Sequence, residues 1–497
     1  MRKDIYLVDH YFHLGLARLI KNNNFCLPAF YPNYIIKHSP LDYPFLYHYI
    51  IALIPEKYRE NITHYLGGLF DLIQMFMIIF ILKQIEQNLF VSFPSYVYYA
   101  ALISFALSPS HLRVDSRNVA ASARPLGELL VMVTLNLTIL AYTSKNNWYF
   151  LLATLSGTFT LLTSNFSTQA YIFIYLITAI LIKDLLFVLL PVCSSVLALI
   201  LTQGAYLRVI KGQFYHLRYM YKIKHGASVS YFESLRIPTM ILKSFKQALE
   251  QLYKFPLFIL VTYYPFIVFS AYLAIVYYDN IPNKVIFSLP FLFISAVLII
   301  FFLTGFKRTK FLGQAERYLD YTTLFISAFL PVLIYLNKNA EILWFIYAAI
   351  MVFSSFLICT NLILWNKVFP SNRTIFDLAD FLNKKKGMRI FTFPPNLSYL
   401  LSFKTQQLYL FNTSSYDPVI IENIRDSSID DPRFNKLPLI VNNLKKVIQD
   451  YDLTHLVIKK NYSYMSLFGR LNLNELYPLD DYKVIYENSG YVVYETK

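Results

Sequence analysis

Apolar runs of about 20 residues recur along this chain, and no other feature limits its fold as strongly. That length is what a helix needs to cross the hydrocarbon core of a bilayer. In lipid the backbone must satisfy its own hydrogen bonds, and runs of this length do so as α-helices. Of the 497 residues, 56% are hydrophobic and 15% charged, too few polar groups to surface a soluble domain of this length. The expected fold class is therefore an α-helical polytopic membrane protein.

The length rule gives about ten spans, at 64–84, 89–108, 123–143, 148–163, 168–183, 185–203, 255–278, 285–304, 321–337 and 341–363. Residues 43–55 are apolar but too short to cross, which fits an interfacial or re-entrant helix. With this count, the short connections all fall on one side. Each carries little beyond a lysine: Lys83, Lys145, Lys183, Lys284 and Lys338. The other side receives residues 1–63, 109–122, 164–167, 204–254, 305–320 and everything after 364. Basic short loops favour the cytoplasm, so the elaborate face is expected outside the plasma membrane. The long basic segment 204–254 does not oppose this, because long loops cross largely regardless of charge.

Three regions result: a first extracytoplasmic loop with an interfacial helix (1–63), a transmembrane domain (64–365) and a soluble α/β domain (366–497). In the last, apolar residues at Ile375, Leu378, Ala379 and Leu382, with Gly387 beyond, predict an amphipathic helix over 374–386. Residues 388–393 and 455–458 read as buried strands, and 434–450 as a second helix. Lys483–Glu487 and Tyr491–Glu495 flank Asn488-Ser489-Gly490 and read as a hairpin.

A formal net charge of +15 in a membrane chain points to anionic lipid head groups rather than nucleic acid, or simply to abundant lysine. The three cysteines offer neither a disulfide framework nor metal-ligand spacing. Residues 1–20 lack the continuous apolar core of a cleavable signal peptide.

Three constellations carry chemistry. Asp9-His10-Tyr11-Phe12-His13 places a carboxylate and two imidazoles in five residues, with Asp42 further along the same loop. Asp9 suits a base for an acceptor hydroxyl, a carboxylate holding Mg or Mn against a diphosphate, or a cap for the helix through residues 14–20. Gly313-Gln314-Ala315-Glu316-Arg317-Tyr318 stands just ahead of a span, in a basic approach. Arg317 has the planar donor fork that suits phosphate oxygens, with Glu316 able to orient it; a set of interfacial anchors is the plainer reading. His111-Leu112-Arg113-Val114-Asp115-Ser116-Arg117 leads to Arg124-Pro125-Leu126-Gly127-Glu128. Glu128 and Asp71 each sit about a turn inside a span, where an ionisable group faces a wet cavity or finds a partner such as Arg124 or Arg113.

The first and second motifs, with Tyr43-Pro44-Phe45-Leu46-Tyr47-His48 and Arg124-Pro125-Leu126-Gly127-Glu128, resemble those of the GT-C superfamily of polytopic membrane glycosyltransferases. The resemblance covers nearly the whole chain. It implies an enzyme that takes a sugar from a polyprenyl-phosphate-linked donor and gives it to an extracytoplasmic glycan, lipid or protein. Asp9 matches the family's first-loop carboxylate, a catalytic base or metal ligand, and Arg317 matches the arginine at the donor phosphate. Taken with the constellations above, the candidate donor-phosphate set is Arg317, Glu316, Tyr318, Arg113, Arg124 and His13, beside a supporting cavity of Asp42, Asp71, Asp115 and Glu128. A divalent cation, if used, would sit on Asp9 and Asp115. Asp9, Tyr11 and His13 also resemble the first loop of oligosaccharyltransferase catalytic subunits. That branch carries Trp-Trp-Asp, whereas Trp148, Trp344 and Trp365 are never adjacent here, which disfavours protein N-glycosylation. The family also has a spanning helix ahead of its first loop, which residues 1–8 cannot supply.

Two other readings differ in what they predict. A lipid or solute transporter needs inverted repeats and charges near mid-bilayer, but the charges here gather toward one face. A non-catalytic membrane scaffold leaves the gathering of Asp9, Arg317 and Glu128 on that face without a reason.

Overall fold

The computed structural model of the chain describes residues 8–35, 42–108, 121–222, 255–277, 284–306, 308–337, 339–368, 373–394, 397–410, 444–460, 463–466, 469–472 and 479–496. Helices α1 (Val8–Asn22) and α2 (Leu46–Leu53) come first, and α3 (Glu56–Leu89) starts directly after Pro55. Then follow α4 (Ser95–Ala106), α5 (Arg124–Ser144), α6 (Asn147–Leu161), α7 (Asn165–Ile182) and α8 (Leu186–Leu201). The turns from α5 to α8 are tight. Lys145 and Lys183 end α5 and α7 in the left-handed region, and the Asn146 and Ser164 side chains cap the next helices by accepting from the Trp148 and Ser167 amides.

Helix α9 (Tyr206–Lys222) precedes a pair, α10 (Pro256–Tyr263) and α11 (Pro265–Tyr277). Helix α12 (Lys284–Thr304) leads to the short α13 (Ala315–Tyr318), a 3-10 turn (Leu319–Thr322), α14 (Thr323–Tyr335) and α15 (Ala340–Val368). The remaining elements are α16 (Arg373–Asn383), β1 (Arg389–Phe393), α17 (Leu397–Lys404), β2 (Leu408–Tyr409), α18 (Leu444–Asp450), β3 (His455–Lys459), β4 (Ser463–Ser466), β5 (Gly469–Asn472), β6 (Lys483–Glu487) and β7 (Tyr491–Glu495).

Every expected span is helical over most of its length, but fewer qualify as crossings. Among the described residues six segments are long and apolar enough: α3, α5, α7, α12, α13 with α14, and α15; counting α10 and α11 together makes seven. The span expected at 255–278 is broken, with an 84° bend at the single residue Tyr264. Pro265 has no N–H to donate and disfavours helical backbone in the residue before it. The spans expected at 89–108, 148–163 and 185–203 are α4, α6 and α8, of 12, 15 and 16 residues. Each is shorter than the roughly 17 residues a crossing takes. The segment ahead of 321–337 is helical rather than a loop, so that crossing runs from Ala315 to Tyr335.

The chain divides into two compact units. One comprises Met1–Ile62, Ala205–His225 and Val368–Lys497, and the other Thr63–Gly204 and Gly226–Lys367. The first loop and the C-terminal domain, expected as separate regions, thus belong to one unit.

In that unit a five-stranded sheet runs in the order β2-β1-β3-β7-β6. Strands β1, β2 and β3 are parallel, and β7 pairs antiparallel with β3 and β6. The expected hairpin is β6–β7, turned where Asn488 Oδ1 accepts from the amides of Gly490 (2.9 Å) and Tyr491 (2.8 Å). Helix α16 buries Ile375, Leu378, Ala379 and Leu382, and Gly387 follows with φ 72°. Of the helix expected over 434–450, residues 444–450 form α18; 434–443 lie outside the described residues. The first loop extends the sheet beyond β2: Tyr34 bridges Tyr409 in parallel, Ile35 N donates to Tyr409 O (2.7 Å) and Tyr409 N to Asn33 O (3.1 Å).

In the helical unit, the segment Ala315–Tyr335 is 94% buried and Ala340–Thr360 only 17%, so α14 is central and α15 peripheral. Small polar side chains join the helices, as expected where lipid supplies no hydrophobic drive between them. Thr134 Oγ1 donates to Ser156 Oγ (2.9 Å), Thr158 Oγ1 to Ser194 O (3.0 Å), and Thr138 shares a 2.6 Å bond with Tyr175.

Candidate active site

Asp9 is the second residue of α1. It stands inside the helix that runs through residues 14–20 rather than at a position flanking it. Its side chain lies outside the described residues. The next four residues, His10 to His13, are all buried. His13 Nδ1 lies 2.8 Å from His48 Nε2 on α2, with the rings stacked at 5.0 Å and edge contacts from Tyr43 and Tyr47. One imidazole must donate and the other accept, so the pair occupies a nitrogen of His13, a candidate for the donor phosphate.

Burial pushes the His48 pKa well below 6.5, and the neighbouring His13 lowers it further. The unfolded chain takes up this proton near 6.5 while the folded chain resists it, so stability is complete above that value and falls as pH drops below it. Melting temperature in detergent is expected to fall as pH is lowered from 7.5 to 5, and His13→Leu/His48→Leu to flatten that slope. An unchanged slope in the double variant would contradict the assignment.

Around this pair, charges tie α1 to its unit. Tyr11 donates to Glu60 (3.0 Å), which also takes Lys404 (3.3 Å). Burial and Glu60 together push the Tyr11 phenol above its ordinary value. The Arg18 guanidinium lies 3.9 Å from the Phe403 ring centre, donates to the Phe403 carbonyl (2.8 Å) and pairs with Glu56 (3.0 Å). Asp42 is buried against α9, where a Cβ at Gly212 would stand 2.5 Å from its Cβ. Only glycine allows that approach.

The second group of candidates is in the helical unit. Glu316 and Tyr318 on α13 are buried, and Arg317 between them is half-buried with its guanidinium 5.9 Å from the Phe166 ring centre. Three tyrosine hydroxyls hold the segment. Tyr318 donates to Leu312 O (2.6 Å), Tyr321 to Ser167 Oγ (3.1 Å), and Tyr264 to Asp320 Oδ1. Ser167 is also the residue against which Gly127 packs: a Cβ there would lie 2.7 Å from Ser167 Cβ. Glu128, the next residue on α5, is buried and within electrostatic reach of Tyr321. The motifs at Glu316–Tyr318 and Arg124–Glu128, almost 200 residues apart in the chain, thus meet through Ser167 and Tyr321.

Arg124 opens α5 half-buried, and Asp71 is half-buried on α3. Arg113 and Asp115 lie outside the described residues. Among the described residues no group of three or more His, Cys, Asp or Glu is placed to hold a metal. The two carboxylates expected to hold a divalent cation, Asp9 and Asp115, are not among the described side chains.

With this geometry set out, solved structures supply a comparison. The oligosaccharyltransferase of Archaeoglobus fulgidus, in complex with Zn and sulfate, aligns over 92% of this chain with a TM-score of 0.57 and 10% identity. This chain spans 64% of that one's length. ArnT from Cupriavidus metallidurans bound to undecaprenyl phosphate aligns over 99% of this chain and 94% of its own, with TM-score 0.56 and 9% identity. Its apo form aligns over 99% and 93%, at 0.55 and 8%. The chain has a GT-C-like fold. No protein-family model matches the sequence, and neither does any curated protein. At identities this low the likeness is one of fold, and function has to be argued from the site.

On that fold, several site residues are ones that sequence reasoning passes over. His48 ends the Tyr43–His48 motif, but only the α1–α2 packing pairs it with His13. Asp320 is three residues from Arg317 and could have been singled out as an acid inside a span. Phe166, Ser167 and Tyr264 carry no such signal, since each gains its place from a partner more than 50 residues away.

Proposed function

We propose that this protein is a membrane glycosyltransferase that moves a sugar from a polyprenyl-phosphate-linked donor to an extracytoplasmic acceptor, a glycan, lipid or protein. The observation that carries the reading is the alignment of 99% of the chain with an enzyme solved holding undecaprenyl phosphate. The Arg317 turn, held by three tyrosines, supports it as a rigid place for a phosphate partner.

In this reading the acceptor hydroxyl gives its proton to the Asp9 carboxylate as its oxygen attacks the anomeric carbon. The bond from that carbon to the phosphate oxygen breaks, and polyprenyl phosphate leaves with the electron pair. Negative charge grows on the phosphate, where Arg317 stabilises it. In this reading the active face is extracytoplasmic, in the plasma membrane.

The test is to incubate purified protein with lipid-linked sugars extracted from the source membranes. The expected result is loss of sugar from one lipid, with polyprenyl phosphate released in equal amount when acceptor is present. Lipid-linked sugars that all survive would contradict the reading.

A further inference from the structure

The broken span is an unusual place for a buried tyrosine. Helices α10 and α11 are separated by one residue, Tyr264, which is 4% exposed and has φ −129° and ψ 47°. The bend takes it out of the helical path, and its hydroxyl donates to Oδ1 of Asp320, 8% exposed. A buried carboxylate within a spanning segment is costly, and charge-assisted hydrogen bonds are the strong ones. Arg317 lies in α13 and Asp320 three residues beyond it, in the 3-10 turn that continues α13. Residues three apart along such a helical path are neighbours on its surface. The other two staples of this segment end on neutral groups, the Leu312 carbonyl and the Ser167 hydroxyl.

We infer that Tyr264 and Asp320 are positioning residues for Arg317: the broken span exists to anchor the turn that presents the guanidinium. This rests on the donor-phosphate reading of Arg317. Loss of the anchor leaves Arg317 charged but loosely held, so it weakens phosphate binding without adding to the loss of Arg317 itself. A residue that merely stabilises the helices would act independently, and its effect would add.

The experiment is a double-mutant cycle on the full chain in detergent, with undecaprenyl phosphate as the probe and Kd as the readout. Arg317→Ala is expected to weaken binding more than tenfold and Tyr264→Phe about three- to tenfold. The double variant is expected to match Arg317→Ala alone. Asp320→Asn keeps an acceptor for the tyrosine hydroxyl but loses the charge, and is expected to weaken binding less than Asp320→Ala, which follows Tyr264→Phe. Should Tyr264→Phe fail to fold, the same cycle run with Asp320→Ala decides. Additive losses, or unchanged affinity in both Tyr264→Phe and Asp320→Ala beside an impaired Arg317→Ala, would overturn the positioning role alone. An unimpaired Arg317→Ala would overturn the phosphate site and this inference with it.

Discussion

Asp9→Asn is expected to lower kcat for sugar transfer by about 10²–10⁴-fold, the range that a positioned base contributes. The asparagine keeps the size and shape of the side chain, so donor KM and melting temperature should hold. Asp9 occupies the second position of α1, and the four residues after it are buried and tied down: His13 to His48, Tyr11 to Glu60. These contacts fix α1 within its unit, and a base needs a fixed scaffold. The measurement is steady-state transfer from a lipid-linked donor, alongside thermal melting of the same sample. Full activity in Asp9→Asn would end its assignment as the base.

The second large effect is expected at Arg317. Arg317→Ala should reduce kcat/KM by roughly 10²–10³-fold, comparable to removing one preorganised group from a developing charge. Arg317→Lys should recover only part of this, because an ammonium lacks the planar fork and the fit over an aromatic face. The guanidinium's approach to Phe166 belongs to that geometry. Equal activity in the lysine and arginine forms would mean that only charge matters there. An alanine variant with normal kcat/KM would remove Arg317 from the site.

Local patterns made much of the fold legible. The strand pair β6–β7 and its Asn-Ser-Gly turn fall where propensity and alternation put them, and α16 ends near its glycine. Apolar length located most helices of the bundle, though not the short α13, expected as loop. What it could not settle was how many cross, because a run such as 255–278 scores as one span while Pro265 breaks it in two. Nor does periodicity reveal that the first loop adds an extended segment to the C-terminal sheet, since the Tyr34–Tyr409 pairing joins residues 375 apart.

The site divides in the same way. Residue type singled out His13, Glu128 and Arg317, because ionisable groups beside apolar runs are conspicuous. The groups that hold them are not, because Ser167, Tyr264 and Phe166 are ordinary residues until packing gives them partners. Gly127 is the intermediate case. It lies within Arg124–Glu128, but its purpose, letting α5 approach Ser167, is a property of the packed helices.

Native mass spectrometry of the gently solubilised protein, supplied with undecaprenyl phosphate in nanodiscs, tests the central claim most directly. The account predicts one polyprenyl phosphate retained per chain, and its loss in Arg317→Ala. A wild-type chain that retains none under these conditions, or an Arg317→Ala chain that retains it equally, would contradict it.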